Sequence, residues 1–226
     1  MRNTSHLHLR WLAIACFSAF LMTSARAATI IENWQLNTNV PDNNSVGISD
    51  VRQLSMDTSS ITQITEVTVT LNIAGGWAGD FFAYVVHDSG YAVLLNRIGR
   101  TSTNSFGNPA GGLQLTFADS AFADVHTAPS SVSLTGIYQP DGRTADPSVV
   151  LDTSPRSAML ASFIGRPAGG TWTLFVADVS PGSQGVVQSW GLKVTGVPEP
   201  GPAALACWAL GLLSTRRMRR LRPPIP

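Results

Sequence analysis

Between Ala28 and Gly196 the sequence holds two histidines, His87 and His126, and the first opens the run His87-Asp88-Ser89-Gly90. A serine beside an aspartate and a histidine has the residue types of a hydrolytic nucleophile. That chemistry needs a histidine base within hydrogen-bond reach and an acid that orients it. No companion motif supplies them, and Asp-Ser-Gly after an apolar run is also a hairpin turn. Ser89 is therefore read as a turn residue, no catalytic residue is assigned, and the chain is not expected to be an enzyme.

Carboxylates offer a second chemistry. Asp80, Asp88, Asp119, Asp124 and Asp178 fall at predicted loop or strand ends, where such groups can meet around Ca2+. No Cys/His cluster has zinc spacing, and the Asp-rich loop pattern of a helical calcium hand is absent. Asp80 and Asp178 are read as structural, bonding nearby backbone amides, and no metal or other cofactor is assigned, with Ca2+ kept as an alternative. The tryptophans offer a third, because an indole can stack on a sugar ring. Trp172 and Trp190 sit at alternating positions in strand-like runs and are expected in the core. Trp77, in the Gly-rich loop AGGWAGD, is the candidate ligand contact.

The elements that must position these residues are strands. In ITEVTVTLNI, Val67, Val69, Leu71 and Ile73 alternate with polar residues, the period of a half-buried strand. GLQLTF repeats the pattern with Leu113, Leu115 and Phe117. DFFAYVVHDSG is apolar on both faces, which predicts a central strand covered on both sides. YAVLL, TWTLFVAD and SWGLKVT complete the set, separated by the turn signals AGGWAGD, FGNPAGG, RPAGG and SPGSQG. Roughly eight such strands predict an all-β sandwich.

Charge separates this middle from the ends. Of the 15 Lys and Arg, 8 lie before Ala28 or after Gly196, so 13 acidic residues face 7 basic ones in the middle, a net charge near −6. Nucleic acid is an unsuitable partner for such a surface. Residues 1–27 have a basic start, an apolar run from Trp11 to Met22, and small residues at Ala25 and Ala27, the layout of a secretory signal. Signal peptidase is expected to cut between Ala27 and Ala28. Cys16 invites a lipoprotein reading, but only five apolar residues precede it and the run continues beyond it. The other cysteine, Cys207, lies in the tail, so residues 28–196 must fold without a disulfide.

The strand wording carries a resemblance. ITEVTVTLNIAGGWAGDFFAYVVHDSG, GGTWTLFVADVSPGSQGVVQSWGLKVTG and the upstream VPDNNSVGISD together resemble the P (Homo B) domain of proprotein convertases over about residues 32–196. The resemblance implies an antiparallel jelly-roll sandwich of the kind that accompanies subtilisin-like serine proteases. Family members often carry His-Thr where this chain has Ala74 and Gly75, and no subtilisin-type catalytic segment is present.

Residues 197–226 resemble a PEP-CTERM sorting signal: Pro198, Glu199 and Pro200, an apolar run from Ala203 to Leu213, then Arg216, Arg217, Arg219 and Arg220. Eleven residues give about 16 Å of helix, short of a hydrocarbon core of about 30 Å. The arginines would stay on the cytoplasmic side. The resemblance implies transient insertion in the inner membrane, cleavage by an exosortase, and release to the cell surface or outside. The expected function is thus an exported non-catalytic module, delivered to the envelope or extracellular matrix, that binds a protein or polymer. The alternatives are an accessory domain of subtilisin-like proteolysis and an adhesion module binding calcium or carbohydrate.

Overall fold

The structure is a computed structural model that describes residues 27–55 and 61–198. Nine strands account for most of them: β1 Ala28–Asn39, β2 Asn44–Leu54, β3 Ile61–Gly75, β4 Phe81–His87, β5 Gly90–Asn96, β6 Gly112–Ala118, β7 Leu134–Tyr138, β8 Gly170–Asp178 and β9 Gly185–Pro198. They form a five-stranded sheet in the order β1-β9-β3-β6-β7 and a four-stranded sheet in the order β2-β8-β4-β5. Three short 3-10 turns, at Ala78–Asp80, Val125–Thr127 and Leu160–Phe163, interrupt the connections.

Alternation decides which face meets the core. Val67, Val69, Leu71 and Ile73 of β3 are buried beside Leu113, Leu115 and Phe117 of β6 and Val187, Trp190, Leu192 and Val194 of β9. From the other sheet, Phe81, Ala83 and Val85 of β4 and Trp172, Leu174 and Val176 of β8 join the same cluster. The two sheets therefore share one apolar layer, and the fold is all-β in two sheets, as the periodicity predicts. Each buried indole finds an acceptor, as a buried Trp N–H requires. Trp172 Nε1 donates to Ala168 O at 3.0 Å and Trp190 Nε1 to Asp50 Oδ2 at 2.7 Å.

Three expectations change. The sandwich is not wholly antiparallel, because β7 runs parallel to β6, with Leu113 opposite Leu134. Its approach is a long connection rather than a hairpin, which frees the direction of entry. β4 is central but covered on one side only: Phe81, Ala83, Val85 and His87 are buried, whereas Phe82, Tyr84 and Val86 are half-buried. The strands β1, β2 and β7 add to those read from the sequence. β1 lies at a sheet edge with mostly half-buried or exposed residues, and its left-handed Asn37 (φ 50°) falls where the register shifts between Gln35 and Thr38. That irregularity blurs the period-two signal.

The free edge of β5 is closed by the loop that follows β7. Asp141 N donates to Leu94 O at 3.1 Å, Gly142 N to Val93 O at 2.9 Å, and Val93 N to Ala158 O at 2.9 Å. Covering an edge in this way removes a template for aggregation.

Candidate functional site

Ser89 sits at the tip of the β4–β5 hairpin, beside Asp88 in a left-handed conformation (φ 52°). Arg166 Nη1 contacts both the Ser89 hydroxyl and Asp88 Oδ2, the latter at 3.3 Å. His87 points the other way. Its ring lies parallel to the Trp172 indole at 4.1 Å, with Nδ1 2.9 Å from Thr171 O and Nε2 2.8 Å from Pro167 O. His126 does have an orienting acid, since its Nδ1 is 2.7 Å from Asp141 Oδ2, but its Nε2 faces Arg100 O at 3.0 Å. The parts of a serine hydrolase are thus placed apart, with neither imidazole turned toward the Ser89 hydroxyl.

The five aspartates named from the sequence do not converge. Asp88 pairs with Arg166 on the hairpin tip. Asp119 accepts from Leu160 N and Ala161 N at 3.1 and 2.6 Å. Asp124 caps the Val125–Thr127 turn and meets Arg143 at 2.9 Å. Asp80 and Asp178 do come together, because Phe81, next to Asp80, is the Cα partner of Asp178 across β4 and β8. Burial raises the carboxyl of Asp80, against the opposing pull of Arg97. It pushes Asp178 up to about 6, with Asp80 and Asp42 adding to the rise and Ser180 N–H and Arg97 opposing it. Asp42, at the approach to β2, was not singled out by sequence.

Trp77 is 44% exposed, and its ring packs on the loop between β8 and β9: a Cβ added at Gly182 would lie 3.2 Å from Cζ3. It therefore stands over the acidic end of the sandwich. Trp172 and Trp190 are fully buried in the shared core. At the chain ends, Ala27 is exposed, Ala28 opens β1 opposite Gly196, and Pro198 ends β9 opposite Ile61. Glu199, Pro200, Arg216, Arg217, Arg219 and Arg220 lie outside the described residues, as do the signal segment before Ala27 and the tail apolar run. Among the described residues no helix is long and apolar enough to cross a membrane.

The feature that sequence reasoning missed is an aromatic ladder on the outer face of the four-stranded sheet. Tyr84 of β4 stacks on Phe175 of β8 at 4.7 Å and 17°, and meets Tyr91 of β5 at 5.2 Å. Phe82 extends the ladder, 5.7 Å from Tyr84 and 6.2 Å from Phe175. Val86, Thr173 and the exposed Val51 continue the same surface, since Val86 and Val51 are both register partners of Thr173. Burial and the neighbouring Tyr84 raise the Tyr91 hydroxyl above its ordinary value. The signal is present in the sequence, because DFFAYVVH is apolar on both faces; the pattern predicts a covering layer on each side, and among the described residues the outer one is absent.

The geometry defines a two-sheet β-module with a buried aromatic core, an acidic end and one aromatic outer face. Over residues 146–194 the chain matches the family described as Proprotein convertase P-domain. That stretch holds the strand motifs around Trp172 and Trp190 on which the resemblance rests. No curated protein matches the chain. Two solved structures are similar to it: the Aeromonas sobria serine protease in complex with its chaperone, at 15% identity and a TM-score of 0.45, and the serine protease of Aeromonas sobria itself, at 14% and 0.44. The matches cover 83% and 80% of this chain, and in both cases 29% of the other chain.

Proposed function

We propose that this protein is an exported, non-catalytic accessory module that docks a folded protein partner, a serine protease of the kind P domains accompany, through the aromatic outer face of β4, β5 and β8. The observation that carries the reading is the ladder of Phe82, Tyr84, Tyr91 and Phe175. In a two-layer sandwich the outer face ordinarily alternates to polar residues. Here it presents aromatic side chains, the residue type most enriched at protein interface centres. The match to a P domain supports a protease as occupant, and the separation of Ser89 from both imidazoles supports binding without hydrolysis.

Export and sorting rest on the chain ends. The segment before Ala27 is read as a signal for signal peptidase, and Pro198-Glu199-Pro200 with the apolar run and arginines as a tail cut by an exosortase. On this reading the module is inserted transiently in the inner membrane and then released to the cell surface or outside the cell.

Isothermal titration of the full-length protein with a subtilisin-like protease from the same cell tests the docking reading. Binding is expected to weaken at least tenfold in Phe175→Ser and Tyr84→Ser, with thermal stability little changed because both rings are only half-buried. Unchanged affinity in both variants contradicts the assignment of the face. A serine-directed active-site probe should leave the protein unlabelled, and label lost on Ser89→Ala would overturn the non-catalytic reading.

A further inference from the structure

The outer faces of the two sheets differ in chemistry. Where the four-stranded sheet is aromatic, the five-stranded sheet is faced with amides and hydroxyls. Asn72 of β3 lies opposite Gln114 of β6 and Ser189 of β9, and two residues back along β3 Thr70 lies opposite Thr116. At the end of this face the surface sinks into an open groove of about 450 Å3. Ala74, Gly75, Gly111 and Gly112 line it with nothing larger than a methyl group. Gly75 and Gly112 hold positive φ (68° and 122°), a backbone that disfavours any side chain there. Asn72, Gln114, Ser133 and Gln188 stand around them. A bulge puts Gln188 in place: Asn72 pairs with Ser189 but Ile73 with Val187, so Gln188 is the extra residue of β9. Bulges re-aim side chains in this way. Of these four side chains only Ser133 has a partner among the described residues, its hydroxyl donating to Gly112 O at 3.5 Å. Among the described residues that line the groove, none is charged.

We propose that this groove binds a short stretch of an uncharged glycan. An amide side chain offers both donors and an acceptor, and a sugar hydroxyl does the same. Asn72, Gln114 and Gln188 therefore match neighbouring hydroxyls of one chain, and Thr70 and Thr116 continue the same donor and acceptor surface along the strands. A phosphate, a uronate or a cationic side chain finds no counter-charge in the lining to offset its desolvation. An apolar ligand is unsuited too, since its pockets are lined mainly by hydrophobic and aromatic side chains. An extended peptide adds to a free sheet edge, whereas β3 is flanked by β9 on one side and β6 on the other. The volume lies within the roughly 300–1,000 Å3 of small-molecule sites, room for a short oligosaccharide. The groove opens on the sheet opposite the aromatic ladder, so the inference stands or falls independently of the docking proposal.

The test titrates isotope-labelled full-length protein with cellohexaose, mannohexaose, isomaltohexaose and chitohexaose, and with hexagalacturonate as the anionic counterpart, following backbone amide shifts by NMR. With at least one neutral sugar, saturable shifts are expected at Asn72, Gly75, Gly112, Gln114 and Gln188, and none with hexagalacturonate. Gln114 and Gln188 are exposed, so Gln114→Ala and Gln188→Ala leave the core intact. Each should weaken binding severalfold, and the double variant at least tenfold, with the thermal midpoint unchanged. Tyr84→Ser, on the other sheet, should bind sugar like wild type. No saturable shift with any neutral sugar at millimolar concentration overturns the proposal, as does an affinity unchanged in the double variant or a set of shifts confined to other parts of the molecule. Binding of hexagalacturonate as tight as that of the neutral sugars overturns the assignment of an uncharged ligand. Shifts at the groove with an uncharged serine- and glycine-rich peptide, in place of the sugars, overturn the choice of a glycan.

Discussion

At Asp178 the fold works against ionisation: burial, reinforced by Asp80 and Asp42, pushes its carboxyl up to about 6, from an unfolded value near 3.9. Asp80 is shifted the same way, with Arg97 restraining it. A carboxyl whose folded value is raised contributes stability that is fully present below its unfolded value and is lost as pH rises through the folded one. Denaturant unfolding should therefore show stability falling between about pH 4 and pH 6. Asp178→Asn should flatten that slope, and a slope unchanged by the substitution would show that other groups set it. Trp172 makes the opposite case, an apolar side chain with its one polar atom satisfied. Removing its indole in Trp172→Ala should cost about 3–5 kcal/mol in the same assay, and a variant as stable as wild type would contradict its placement between the sheets.

Among the elements, the loop after β7 is held by buried charge as well as by apolar residues such as Val150, Leu160 and Phe163. Asp141 is fully buried and accepts from His126 Nδ1 at 2.7 Å and Arg143 Nη1 at 3.2 Å, while Arg143 also meets Asp124 at 2.9 Å. Removing the central acid in Asp141→Ala leaves two buried cationic or polar partners uncompensated, for which about 3–5 kcal/mol is expected. Because Asp141 and Gly142 cap the edge of β5, amide exchange should rise first at Gly142 and Val93; exchange that rises uniformly would show no such local role. This network had no sequence signature: His126 lies before β7 and Asp141 and Arg143 after it, and only the chain path brings them together. The strands with strict alternation, β3 and β6, were legible, as were the hairpin at Asp88-Ser89 and the core positions of Trp172 and Trp190. The edge strand β1 was not, since its shifted register breaks the period. Neither was the parallel entry of β7, which depends on a connection whose composition carries no directional cue. At the site, the sequence singled out Asp80 and Asp178 but not Asp42 or Arg97, whose positions follow from loop geometry. The aromatic face reads as a second core face in the sequence because alternation reports apolarity, not what covers it.

At the scale of the whole molecule, β8 and most of β9 lie in the stretch that matches the P-domain family, and the two ends are proposed to carry the address. If Glu199 belongs to a processed signal, Glu199→Ala should leave a longer, membrane-associated form in cells, read as intact mass of the surface and membrane fractions. A wild-type surface form ending at Pro226 would show instead that the tail is retained as an anchor. The central claim, docking of a protease through the aromatic face without hydrolysis, is tested most directly by hydrogen–deuterium exchange of the full-length protein with and without the partner protease. Protection is expected in β4, β5 and β8, at peptides containing Phe82, Tyr84, Tyr91 and Phe175. Protection confined to β1, β9 and β3, or to the loops around Trp77, would contradict it.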